Sequence, residues 1–203
     1  NHLLGTELSK KDLFRFALEG EKLTSGGRSH GDNVAAALFG GFVIVKNVEE
    51  FDVINIDYPE NLYCVVIHPH VVLNTSKMRK LLGKDIELVD AVKQWGNVAA
   101  LVAGLINKDY KVISRSVQDF VAEPKRAACI PLFYEVKEAA LNAGAVGCSI
   151  SGSGPSIFAF TKSKSIAQNV AVEMRKIYKK NKIKNDIIIS RINKTGPKIL
   201  LAR

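Results

Sequence analysis

The sequence predicts an α+β fold with antiparallel strands and helices packed on one face of a sheet. Two observations carry that prediction. Apolar strand-like runs are intermixed with segments of helical period instead of alternating strictly with them. Several neighbouring strands are also separated by turns too short for a helical crossover. With 203 residues, 47% of them hydrophobic, the chain can bury a sizeable core in one large or two small domains.

Ser9-Lys10-Lys11-Asp12 reads as a capping box with Asp in place of Glu, opening a helix that runs to about Leu23. Leu13, Phe16 and Ala17 are its expected apolar side, with Phe14 beside them. Gly26-Gly27 stops it. Asp32 is placed to cap a short helix through 35–38, and Gly40-Gly41 ends that helix. Segments 42–45, 53–57 and 62–67 read as strands; the last is nearly all apolar and so covered on both faces. Thr75 reads as the cap of a short helix with Met78, Leu81 and Leu82. A long helix over about 85–106 keeps its period at Leu88, Val92, Trp95, Val98 and Val102. Helices are also expected near 111–121 and 133–143, separated by a loop that Pro124 and Pro131 bracket. Segments 147–151 and 156–161 are strands around a glycine-rich loop. Ile166, Val170, Met174, Ile177 and Tyr178 mark an amphipathic helix, and 187–192 and 198–201 read as closing strands.

No apolar run approaches the roughly 18 residues of a membrane-spanning helix, and the first residues carry no secretory-signal pattern. Cys64, Cys129 and Cys148 form no Cys-x-x-Cys pair, which argues against a disulfide framework or a zinc site and for a reducing, cytoplasmic setting. The net charge is +9. Arg175, Lys176, Lys179, Lys180, Lys182 and Lys184 concentrate it near one helix end. A solvated helix C-terminus explains such a run; an anion or nucleic-acid surface is the alternative, with Tyr178 the one aromatic among them.

Four stretches carry candidate chemistry. Ser149-Ile150-Ser151-Gly152-Ser153-Gly154-Pro155-Ser156 has two glycines that permit positive φ and close ligand approach. Successive amides in such a loop make an anion nest, and Ser151, Ser153 and Ser156 add hydroxyls. It is richer than a hairpin turn requires. Gly26-Gly27-Arg28-Ser29-His30-Gly31-Asp32-Asn33 ends at a helix start, where amides favour an anion; an N-cap role would account for only one of its polar residues. Thr75 and Arg79, four apart, share a helix face, and an Arg there suits bidentate anion binding or a surface salt bridge. Glu123-Pro124-Lys125-Arg126 supplies a second, weaker candidate clamp. His68-Pro69-His70 lacks partners at metal-ligand spacing, and Cys148 reads as a buried structural thiol.

The order of these motifs resembles the homoserine kinases, of the GHMP superfamily of small-molecule kinases. The resemblance rests on His30-Gly31-Asp32-Asn33-Val34-Ala35 through Gly41, Thr75 with Arg79, Glu123-Pro124-x-Arg126 before Ile130-Pro131, and Gly144 through Pro155. It covers about residues 1–161 and continues more loosely beyond. The fold it implies is a GHMP kinase fragment: 1–59 as the remnant of the N-terminal domain and 60–203 as a ferredoxin-like C-terminal domain. It implies ATP-dependent phosphorylation of the L-homoserine hydroxyl in threonine biosynthesis, with Mg²⁺.

By the same resemblance His30, Asp32, Arg79 and Arg126 would bind the amino acid, largely through its carboxylate. Asn33 would lie by the reacting hydroxyl and Thr75 by the transferring phosphoryl. Gly152, Ser153 and Gly154 would close over the substrate, with phosphate contacts at Ser151, Gly152 and Ser153. Glu21 matches a glutamate associated with Mg²⁺, across a loop slightly longer than usual. Ala36 stands where the family usually has Pro, and Gly31 where Pro or Ala is commoner. The family's Gly/Ser-rich ATP loop corresponds to sequence upstream of Asn1, so the 203 residues are expected to be about two-thirds of such an enzyme and inactive alone. A homodimer is compatible with the family; nucleic-acid and membrane partners are not expected. Alternatives are another GHMP kinase acting on a mevalonate-type or sugar substrate, a non-catalytic ferredoxin-like module, and a charge-driven nucleic-acid binder.

Overall fold

The computed structural model describes residues 5–24, 27, 29–198 and 200. They form two compact units, Asn1–Tyr58 with Ile192–Arg203, and Pro59–Arg191. The sequence division into 1–59 and 60–203 differs from these units at Pro59, which opens the second unit, and in the tail. That tail groups with the first unit because its backbone abuts the Gly40-Gly41 turn. The Gly41 amide donates to the Asn193 carbonyl at 2.6 Å. A Cβ on Gly40 would stand 2.4 Å from that same carbonyl oxygen, and one on Gly196 2.3 Å from the Leu38 carbonyl oxygen.

In the first unit, α1 spans Lys10–Thr24 and α2 spans Gly31–Phe39. The capping box forms: the Ser9 hydroxyl donates to Asp12 at 2.5 Å and accepts from the Asp12 amide at 3.2 Å. Phe14 and Leu18 are the buried pair on α1, while Phe16 is 63% exposed. With apolar residues at 13, 14, 16 and 17, the period alone left the face ambiguous. Asp32 does not cap α2. His30 occupies the cap position and Asp32 lies exposed in the first turn. Strands β1 (Phe42–Asn47) and β2 (Asp52–Ile56) pair antiparallel. Phe14, Leu18 and Ala35 make the local core with Val43, Val45 and Phe51 packed on it.

The second unit holds β3 (Tyr63–Pro69), α3 (Thr75–Lys80), α4 (Leu88–Ile106), α5 (Tyr110–Ser116), α6 (Glu123–Arg126), α7 (Phe133–Asn142), β4 (Gly147–Ile150), β5 (Ile157–Thr161), α8 (Lys164–Lys180) and β6 (Asn185–Arg191). The strand order is β4-β5-β3-β6, all antiparallel. With α7 before β4 and α8 before β6, this is the ferredoxin-like arrangement. Val65, Ile67, Ile157 and Ala159 face Phe133, Val136, Val170, Met174 and Tyr178 in one core.

Four local expectations change. Asn74, not Thr75, caps α3, its side chain accepting the Lys77 amide at 3.1 Å. The helix expected to 121 ends at Ser116, because the Asp119 carboxylate takes the Val121, Ala122 and Glu123 amides. Between Pro124 and Pro131 lie α6 and a 3₁₀ turn, Ala127–Cys129, not an open loop; Pro124 sits in the first helical turn, where its missing N–H costs nothing. On α4 the periodic residues Leu88, Val92, Trp95 and Val98 are 50% exposed or more, while Ala91 and Leu105 are buried. The closing strand expected at 198–201 falls partly outside the described residues; Lys198 and Leu200 themselves are not in a strand. Among the described residues no helix is long and apolar enough to cross a membrane.

Candidate active site

The loop between β4 and β5 is built as a nest. The Ser151 amide donates to the Ser156 carbonyl at 2.8 Å, and the Gly154 amide to the Ser151 carbonyl at 3.0 Å. Gly152 has φ +58° and Gly154 φ +77°, a region that only glycine enters without strain. A Cβ on Gly152 would meet nothing within 4 Å, so the loop's backbone borders open space there. Gly154 instead turns inward: its Cβ would lie 2.8 Å from the tip of buried Ile130. At the far end of the loop the Ser156 hydroxyl is 2.9 Å from His68 Nδ1.

Arg126 is 9% exposed. Its Nη1 donates to the Gly152 carbonyl at 3.0 Å and its Nε makes a long bond, 3.4 Å, to the Met78 carbonyl. One guanidinium thus ties the loop to the residue preceding Arg79. Arg79 itself is half-buried. Among the described residues no carboxylate pairs with either arginine. A buried guanidinium without a counter-charge is costly, and Arg126, bonded to the Gly152 carbonyl at 3.0 Å, stands at a loop whose amides also suit an anion. Thr75 is the first residue of α3; its side chain lies outside the described residues.

Glu123, the other end of α6, is 7% exposed. Its carboxylate accepts from Lys137 Nζ at 2.5 Å and from the Ser149 hydroxyl at 2.7 Å. The sequence reading named the motif but gave Glu123 no role. Its partners are 14 and 26 residues away, so no spacing rule could have paired them. Burial pushes the neighbouring Cys148 thiol up to about 12, with Lys137 opposing the rise and Glu123 adding to it. A thiol so held is protonated and unreactive.

In the first unit, His30 Nδ1 and Glu21 Oε1 are 2.7 Å apart, both half-buried. Asp32 and Asn33 follow His30 into the first turn of α2, both exposed. Gly31 is buried, and a Cβ there would meet Val48 Cγ2 at 2.6 Å. An alanine there would require Val48 to shift. Among the described residues no group of three His, Cys, Asp or Glu gathers to hold a metal. His68 and His70 do not form a pair for one: His70 Nε2 bonds Asp186 at 2.8 Å while His68 holds Ser156.

Comparison with known proteins bears on these features. The chain matches two family models, the GHMP kinases N-terminal domain over residues 1–41 and the GHMP kinases C-terminal region over 101–180. The chain belongs to the GHMP kinases. Among them it is 50% identical over 98% of its length to a homoserine kinase of Chlorobium phaeovibrioides, and 45% identical over 98% to one of Chlorobaculum tepidum. It spans 63% and 62% of those relatives' lengths. A crystal structure of homoserine kinase from Cytophaga hutchinsonii superposes with TM-score 0.94 at 50% identity, covering 98% of this chain and 63% of that one. Mevalonate kinase from L. major shares the fold, with TM-score 0.66 at 18% identity over 92% of this chain and 58% of that one. The GHMP kinase assignment accounts for the mixture of helices and antiparallel sheets.

Proposed function

We propose that the protein to which these residues belong phosphorylates L-homoserine with ATP, and that this chain supplies most of the amino-acid-binding machinery. The observation that carries the reading is Arg126: a nearly buried cation with no carboxylate partner among the described residues, held against the loop carbonyl of Gly152. An amino-acid carboxylate supplies the missing charge. A sugar does not, and the relatives at 45–50% identity are named homoserine kinases.

In the second unit, Arg79 and Arg126 hold the carboxylate. Thr75 lies by the transferring phosphoryl, and Gly152, Ser153 and Gly154 cover the substrate, with Ser151, Gly152 and Ser153 offering phosphate contacts. In the first unit, His30 and Asp32 bind the amino acid and Asn33 orients its hydroxyl. The hydroxyl oxygen bonds to the γ-phosphorus, the bond to the bridging β,γ oxygen breaks, and ADP leaves. Asn33 cannot take a proton at neutral pH, so the proton passes to phosphate or solvent. Phosphoryl transfer needs alignment and charge stabilisation more than a strong base. Mg²⁺ suits the one carboxylate at Glu21, since it keeps waters and substrate phosphates as its other ligands; bound there it would neutralise phosphate charge. Free, scattered cysteines accord with a cytoplasmic setting.

The test uses the full-length enzyme. Homoserine-dependent ADP release is expected, with mevalonate and galactose inert. Arg126→Met should raise KM for homoserine by about 100-fold, the loss of roughly 3 kcal/mol for a charged, partly desolvated contact. Asn33→Ala should lower kcat only modestly. Turnover of mevalonate or a sugar in preference to homoserine would overturn the reading.

A further inference from the structure

The short helix α6 reaches the glycine loop from both of its ends. At its first residue, Glu123 takes the Ser149 hydroxyl at 2.7 Å, on the strand that leads into the loop. At its last, Arg126 donates to the Gly152 carbonyl at 3.0 Å, at the loop's exposed turn. Lys137 from α7 closes the arrangement by donating to Glu123 at 2.5 Å, and the Asp119 carboxylate fixes the helix start through the Glu123 amide at 3.2 Å. The Lys137 and Glu123 side chains are only 18% and 9% exposed.

We propose that Glu123 is a positioning residue for the anion clamp, pinning the root of the glycine loop to the same helical turn whose Arg126 holds its tip. This deepens the homoserine reading and rests on it for the identity of the ligand. The physical argument begins with the loop itself. Gly152 and Gly154 have no side chains to brace it, and freezing a glycine costs more backbone entropy than freezing any other residue. Its two internal backbone bonds, Ser151 amide to Ser156 carbonyl and Gly154 amide to Ser151 carbonyl, shape the turn, and its placement on the sheet is left to contacts outside it. Glu123 and Arg126 stand three residues apart on one turn, so any rotation of that turn moves both grips together. Two of Arg126's five N–H donors are used by the loop and α3. Those two bonds fix the plane of the guanidinium, and the remaining donors can then meet a carboxylate in a preset orientation. That arrangement lowers the ordering cost of binding. Charge balance accounts for Lys137: without it Glu123 would be a buried, uncompensated anion drawing Arg126 away from the ligand.

The test compares three variants of the full-length enzyme. Ser149→Ala removes one grip, and Ser149→Thr retains the hydroxyl. The double variant Glu123→Leu with Lys137→Met removes the acceptor for Ser149 while keeping the site's charge balance. Ser149→Ala should raise KM for homoserine about tenfold with kcat within about twofold, and Ser149→Thr should restore it. The double variant should do at least as much. Hydrogen exchange of the amides at 151–154, read in the ligand-free protein, should speed up in Ser149→Ala and in the double variant. If melting temperature falls while KM and loop exchange stay at wild-type values, Glu123 serves the fold alone and the proposal is wrong. The exchange measurement needs no substrate, so it decides the point even if homoserine proves to be the wrong amino acid.

Discussion

Gly152 and Gly154 are two residues apart in one loop, yet alanine at each should behave differently. At Gly152 the added methyl meets open space, so only the positive φ is strained, at about 1–2 kcal/mol. At Gly154 the methyl also lies 2.8 Å from Ile130 Cδ1, inside packed core, which adds about 1–3 kcal/mol. Denaturant unfolding should rank Gly154→Ala clearly below Gly152→Ala. Enzyme kinetics should not follow the same ranking, because Gly152 borders the space the ligand would use. A Gly152→Ala protein as unstable as Gly154→Ala would mean the loop packs differently. The same pair shows why a sequence can flag a loop without dividing its labour. Two glycines in three residues announce positive φ, but which one faces solvent depends on Ile130, which the chain brings in from elsewhere.

Among the elements, α1 was legible almost to the residue. Its capping box is a local pattern, and the hydrogen bonds that satisfy it lie within one turn. The Ser9 hydroxyl bond holds the Asp12 carboxyl below its usual value of 3.8. A group depressed on folding contributes stability above its unfolded pKa and loses it as pH falls through the folded value. The stability gap between the wild type and Ser9→Ala should therefore be constant near neutrality and shrink below about pH 3.8. A gap of undiminished size at pH 2 would assign the cap's effect to the Asp12 amide bond to Ser9 Oγ and not to the carboxylate. Elements shaped by distant partners were less legible. Helix α5 stops early because Asp119 captures three backbone amides. The α6 turn looked like a loop because Pro124 is a breaker anywhere except the first turn. The face of α1 was misread because adjacent apolar residues satisfy two registers. In the second unit the β4–β5 hairpin, in contrast, follows from strand patterning and a short connection, while β3 meets β5 and β6 across helical segments that no local pattern orders. The Glu123–Lys137–Ser149 group joins α6, α7 and β4, and nothing in local spacing announces it.

At the scale of the molecule, the +9 charge is the most conspicuous compositional fact. Arg175, Lys179, Lys182 and Lys184 line one depression at the α8–β6 turn. Tyr178, the aromatic that could have served nucleobases, is fully buried in the core and has no stacking face to offer. Binding to generic DNA should thus be electrostatic alone, independent of sequence, and gone by roughly 200 mM salt; retention there would revive the nucleic-acid reading. The closing of the first unit has a different consequence. Its Gly40-Gly41 turn rests against Asn193–Gly196, more than 150 residues later in the chain. Folding of that unit carries an unusually long-range contact, which is slow to form. On the ribosome the residues of the second unit, Pro59–Arg191, all emerge before the Asn193–Gly196 segment that the Gly40-Gly41 turn packs on. The Gly40-Gly41 turn therefore waits, made but unpaired with that segment, while the second unit is synthesised, and in that interval it is a surface a chaperone would meet.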